Sequence, residues 1–246
     1  MSTQEEGMSK IFEKLEFVAA ILLGLAAIAT AFASYQSSLY DGKSSENYSR
    51  SNKIATEAAT ERSRAVVEMS KDNTIDVEAM RLIMEADDAP TPTAEARNYE
   101  IATYLYTTQM SEYGYKALGL PPEARKAEEA NSETPEAEEK HEALQENLLE
   151  KAMEKDLVSD ENYRKDMLAK SEAQFEEAEK IFKEGQQANE AGDKFQLVAV
   201  IYAISLFFGG IVQVFHNDRM RWSILGIGVV LFIGATGYLL TLPWTT

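Results

Sequence analysis

Two histidines, a pair of spaced aspartates and a crowd of tyrosines are the residues of this chain whose types could do more than pack. His141 closes Glu138-x-x-His141, the half-motif by which helices present ligands to a di-iron centre. A complete centre needs a second Glu-x-x-His and two further glutamates, and no second copy exists. The other histidine, His216, lies between two apolar runs, so the two imidazoles are not expected to meet. Glu138, Glu139 and Glu142 therefore read as a solvated helix face. Asp72-x-Thr74-x-Asp76 has the alternating oxygens that open a calcium loop but lacks its glycine and closing glutamate. Cysteine is absent, which removes disulfides, cysteine zinc sites and thiol nucleophiles. No phosphate-binding glycine loop and no nucleophile elbow occurs. The expectation is a chain with no enzymatic activity, no cofactor and no metal. Tyr99, Tyr104, Tyr106, Tyr113 and Tyr115 fall within one short stretch. They suit ligand stacking, but the seven-residue spacing of Tyr99, Tyr106 and Tyr113 predicts a core-facing stripe of one helix.

The elements that must carry these residues begin with three apolar runs. Phe17 to Ala33, Phe195 to Phe215 and Trp222 to Leu242 contain no Asp, Glu, Lys or Arg. A run of about 20 apolar residues at about 1.5 Å per residue crosses a hydrocarbon core of about 30 Å. The last two runs are joined only by residues 216–221, HNDRMR, too short for a domain, so they predict a transmembrane hairpin. Ala31-Phe32-Ala33 resembles a signal-peptidase site, but the apolar run before it is longer than a signal core, and a retained anchor is predicted. The domain plan is residues 1–34 as the N-terminal segment and first span, 35–194 as an acidic helical extramembrane domain, and 195–246 as the hairpin. Residues 35–194 hold 36 of the 41 acidic and 20 of the 24 basic residues of a chain with net charge −17. That balance argues against nucleic acid and against docking on anionic headgroups.

Within the spans, Ala20, Gly24, Ala27 and Ala31 recur at helical spacing. Helices in lipid pack through small residues that let backbones approach, so these four, with Gly209, Gly210, Gly226 and Gly234, are the candidate helix-packing residues. The span interiors carry no ionisable group of the kind coupled transporters keep. If several copies formed a channel, Gln196, Ser205, Gln213 and Thr236 would be its candidate pore-lining residues. Lys10, Lys14, Arg219 and Arg221 all favour one side under the positive-inside rule. They place the N-terminus and the 216–221 loop in the cytoplasm and residues 35–194 outside the cell (inner or plasma) membrane. Lys43, Arg50, Lys183 and Lys194 weaken the bias. Asn47-Tyr48-Ser49 is a glycosylation sequon that matches an external segment.

The segment between the first span and the hairpin is rich in helix formers. A turn or irregularity is expected at Asp41-Gly42. A heptad frame through Tyr48, Asn52, Ala55, Ala59, Arg62, Val66, Met69, Asn73, Met80 and Ile83 predicts a weak, partly polar seam. Pro90 and Pro92 break the helix, Ala94 to Leu118 resumes it, and Gly119-Leu120-Pro121-Pro122 closes that unit. Thr134 and Pro135 form a helix start, and Ser159 and Asp160 mark a pause and restart. From there Leu168, Phe175 and Phe182 alternate with Ser171, Ala178, Gly185 and Gly192, large beside small, as close helix packing requires. This helix is expected to return to the membrane antiparallel to the one leaving the first span.

Ser34, Tyr35, Gln36, Tyr40 and Gly42 in the SYQSSLYDG exit, with Leu206, Phe207, Phe208, Gly209 and Gly210 in LFFGGI, carry a family likeness. Together with the Arg connector and glycine-rich last span, they resemble a family of uncharacterised prokaryotic three-span membrane proteins. The likeness implies the topology and supplies no activity. The expected fold is an all-α membrane protein with three transmembrane helices and a long antiparallel, coiled-coil-like extramembrane projection. Its expected role is interaction, as a scaffold or accessory subunit in the lipid bilayer, partnered by a second copy or another membrane protein.

Overall fold

The computed structural model describes residues 2–130, 135–215 and 217–244, and, within these, all side chains except those of 2–14, 127–130, 135–138, 140 and 141. Thr134 and His216 lie outside that set, as do the side chains of Lys10, Lys14, Glu138 and His141. Among the described residues the chain is helical throughout, with no strand. Helix α1 spans Ser2–Asp87, α2 Pro92–Tyr104, α3 Glu112–Ala117, α4 Pro122–Ala130, α5 Pro135–Met153, α6 Glu161–Ile211 and α7 Asp218–Leu239. Three of these, α1, α6 and α7, are long and apolar enough to cross a membrane. The chain divides into a terminal unit, Met1–Asn52 with Ala178–Thr246, and a central unit, Lys53–Glu177.

In the terminal unit α1 runs unbroken through Asp41-Gly42, so the turn expected there does not form. A helical glycine costs only about 1 kcal/mol relative to alanine, too little to stop a helix that is paired on both sides of the position. The pairing partner is α6, antiparallel. Ser37 Oγ donates to the Gly192 carbonyl (3.0 Å) and Ser51 Oγ to the Ala178 carbonyl (2.7 Å). Two glycines permit this approach. A Cβ at Gly185 would stand 2.9 Å from the Tyr48 ring, and one at Gly192 2.8 Å from Asp41 Oδ1. Asn47 of the sequon is half-buried in the same seam. Further along, Tyr40 stacks on Phe195 with centroids 5.6 Å apart and donates to the Pro243 carbonyl (2.8 Å). Phe195, Val198, Tyr202, Ala235 and Leu239 form one core cluster; Leu15, Ala19, Leu22, Val212 and Leu225 form another. Phe17, Ile28, Leu197, Phe207, Val230 and Ile233 point outward from the same three helices.

The central unit is built around Ile75, Ala79, Leu82 and Ile83 of α1, which pack with Tyr106, Leu118, Leu148, Leu157 and Tyr163. The buried line of α1 here is Ala58, Asp72, Ile75, Ala79, Leu82 and Ala86. It differs from the expected heptad frame, of which Asn52, Ala59, Arg62 and Val66 are exposed. The frame followed Val66 and Met69, of which Val66 is exposed and Met69 half-buried, whereas the buried line runs one position away through Ala58, Ile75, Ala79, Leu82 and Ala86. On α6 the small row is buried at Ser171, Ala178, Gly185 and Gly192. Of the large row, Leu168 is buried, Phe175 is half-buried and Phe182 is exposed, lying against the Tyr48 ring at 5.1 Å.

The expected helix over Ala94 to Leu118 is interrupted. After α2, which Thr91 caps and Pro92 opens, residues Leu105–Gln109 form a π turn, and the Met110 N–H reaches the Leu105 carbonyl (3.2 Å). Ser111 then caps α3 by accepting from the Gly114 N–H (3.0 Å). The wider turn shifts the register, so Tyr106 and Tyr115 are buried while Tyr113 is exposed, against the single stripe that the spacing predicts. Gly119, at φ +71°, ends α3, in a conformation that glycine adopts without steric penalty. Asp160 restarts the chain as α6, accepting from the Asn162 N–H (2.8 Å) and Tyr163 N–H (3.0 Å).

Candidate functional site

The densest polar constellation among the described residues is buried in the central unit. Asp72 and Asp76 stand one turn apart on α1 and both face its core, with 0% and 6% of their surface exposed. Asp72 accepts from the Ser111 N–H (2.7 Å), from Ser111 Oγ, and from the Tyr163 hydroxyl (2.8 Å). Asp76 accepts from the Tyr106 hydroxyl (2.9 Å). Each donor comes from a different place: Ser111 from the start of α3, Tyr163 from α6 and Tyr106 from the π turn. Buried carboxylates are tolerated only when donors satisfy them, so these two tie three segments to α1. Gly114 is part of the fit, because a Cβ there would come within 2.6 Å of Asp72 Oδ2. Arg125 closes the neighbourhood, lying over the Tyr115 ring at 4.2 Å and donating to the carbonyls of Met110 (2.5 Å) and Ser111 (3.3 Å).

The electrostatics follow from burial. Desolvation raises the Asp76 carboxyl above its ordinary value, and the nearby Asp156 charge adds to this, while the hydrogen bonds from Tyr106 and the Leu157 backbone oppose it. Tyr106 and Tyr163 are pushed well above the usual phenol range, first by burial and then by the aspartates they bind. Burial also pushes Tyr115 up to about 12. All three hydroxyls stay protonated at physiological pH, as donors must. The arrangement can hold helices in place and exchange a proton. Sequence reading weighs Asp72 and Asp76 only as a calcium loop, which their surroundings exclude, and assigns them no other role. The overlooked signal is their spacing of four among Ile75, Ala79, Leu82 and Ile83, which puts acids on a core face. No group of three or more His, Asp or Glu among the described residues is placed to hold a metal ion.

The candidate packing residues fall into two sets. Gly209 is buried, and a Cβ on it would lie 3.2 Å from Leu23 Cδ2. Ala20, Gly24, Ala27 and Ala31 are exposed along α1, whose inward face is made by Ala19, Leu22, Ala26 and Ala33 instead. Gly210, Gly226 and Gly234 are also exposed, with nothing within 4 Å of an added Cβ. The glycine that sequence reasoning missed is Gly228, where a Cβ would lie 3.2 Å from Phe208 Cβ. Of the candidate pore-lining residues, Ser205 is fully buried and donates to the Gly228 carbonyl (2.7 Å). Thr236 is half-buried against the Tyr202 hydroxyl (2.9 Å), and Gln196 and Gln213 are exposed. Comparison with known protein families, curated proteins and solved structures finds no match for this chain.

Proposed function

We propose that this chain is a multi-pass membrane protein that works by interaction, as a scaffold or the accessory subunit of a membrane complex, without catalysis. In this reading α1, α6 and α7 cross the cell membrane, the N-terminus and the 216–221 loop are cytoplasmic, and residues 35–194 form an antiparallel helical projection outside it. The supporting observation is the outward face of α1, where Ala20, Gly24, Ala27 and Ala31 are left uncovered by the rest of the chain. Small residues on a lipid-exposed face allow a second helix to approach closely, from another copy or another membrane protein. The central unit supports the same reading, since its buried carboxylates are occupied with internal donors. The test is the oligomeric state in nanodiscs, together with cross-linking in the native membrane. A monomer that captures neither itself nor a partner sinks the proposal. A homo-oligomeric pore has less support, because Ser205 and Thr236 already hydrogen-bond within the chain.

A further inference from the structure

The central unit buries two carboxylates on one face of α1 and gives neither of them a cation. Among the described residues no lysine or arginine pairs with Asp72 or Asp76. The two are not equivalent. Asp72 has three donors, from Ser111 and Tyr163. Asp76 is held by the Tyr106 hydroxyl on the π turn and the backbone of Leu157 in the turn between α5 and α6. The charged group that faces it from that turn is Asp156, and Asp72 lies one helical turn away on its own helix. A carboxylate that is desolvated, without a cation partner and flanked by like charge favours its neutral form.

We propose that Asp76 is a proton-operated clamp, whose protonation draws the π turn and the α5–α6 turn onto α1 and whose ionisation loosens them. The step is a simple acid–base exchange: solvent gives a proton to a carboxylate oxygen, and the Tyr106 hydroxyl donates to the other. Neutral Asp76 no longer repels Asp156, and its burial no longer opposes the packing of Ile75, Ala79 and Leu157. The sign follows from linkage. A carboxyl whose folded-state value lies above its unfolded value binds more protons when folded, so its contribution to stability is fullest in acid. That contribution is lost as pH rises from the unfolded value of 3.8 through the raised folded value. A carboxylate stabilised by a cation behaves in the opposite way. The clamp does not depend on the membrane reading, because all its parts lie in the central unit.

The experiment is amide hydrogen exchange on the full chain in nanodiscs at about pH 4, near the unfolded value, and at about pH 8, corrected for intrinsic rates; each unit of pKa shift corresponds to about a tenfold change in protection. Wild type is expected to lose protection in residues 99–111 and 153–163 as pH rises. Asp76→Asn is expected to keep similar protection at both values. Tyr106→Phe removes a bond that favours the ionised form, so it should widen the loss between the two pH values. General repulsion within the acidic unit would act on all variants alike, so the difference between them isolates Asp76. If Asp76→Asn follows the wild-type pH dependence, the clamp is wrong. Should that variant not fold, a Tyr106→Phe profile identical to wild type overturns it equally.

Discussion

A methyl group at Gly114 would press to within 2.6 Å of Asp72 Oδ2 and 2.9 Å of its Cγ, atoms that three hydrogen bonds hold in place. The carboxylate cannot step aside without releasing Ser111 or Tyr163. Gly114→Ala is therefore expected to destabilise the central unit by about 2 kcal/mol, within the usual range for overpacking. Gly42→Ala is the matched control: a helical position with nothing within 4 Å of the new Cβ, where alanine should add up to about 1 kcal/mol. Urea unfolding followed by circular dichroism separates the two by sign. Asp72→Ala goes further, leaving the Ser111 N–H and Tyr163 hydroxyl as buried donors with no acceptor. A loss of about 3 kcal/mol is expected, and Asp72→Asn should recover part of it. Little of this was legible beforehand. Asp72 and Asp76 share a motif with Thr74 in sequence, yet Thr74 is exposed, and what the acids bind comes from residues 39, 30 and 91 positions away.

Between helices, the readable and the hidden divide by side-chain size. The three apolar runs stand out because each is long and continuous, and the small row on α6 because Ser171, Ala178, Gly185 and Gly192 recur every seven residues. The partner line on α1, Ser37, Ser44, Ser51 and Ala58, keeps the same period and is buried, but no regular row of large apolar side chains runs beside it as Leu168, Phe175 and Phe182 do on α6. The π turn was invisible for another reason: Asp72, in another helix, binds Ser111 and fixes where α3 must restart. The α1–α6 seam of the terminal unit makes a prediction of its own. Gly185→Leu would drive a side chain into the Tyr48 ring, 2.9 Å from the first added carbon. It should part the contacts of Tyr48 with Phe182 and of Ser51 with Ala178, at about 2 kcal/mol or more. Gly234 is exposed and an added Cβ there meets nothing within 4 Å, so Gly234→Leu should leave thermal unfolding in nanodiscs close to wild type. Equal effects from the two substitutions would mean that the seam does not depend on the glycine.

For the whole molecule, sidedness is the property on which every interaction reading turns, and the chain's charge makes it measurable. The central unit carries 15 basic and 30 acidic residues, so nearly all of the net −17 resides there. Acidic residues count little in deciding orientation, and long polar segments cross largely regardless of their charge. Orientation then rests on the short cytoplasmic candidates, Lys10, Lys14, Arg219 and Arg221. Arg221 is itself buried with its Nη2 3.7 Å from Glu16, which leaves Arg219 as the exposed positive charge of the 216–221 loop among the described residues. The chain has no cysteine, so a single introduced thiol reports without background. Val158, an exposed side chain in the α5–α6 turn, and Arg219 give one probe for each side. In intact cells an impermeant maleimide should label Val158→Cys and should reach Arg219→Cys only after permeabilisation. The reverse pattern would put the acidic unit in the cytoplasm, where partners of the central unit would have to be sought among soluble proteins. Labelling of both in intact cells would mean that residues 158 and 219 share a side, and α6 would then not cross the membrane between them.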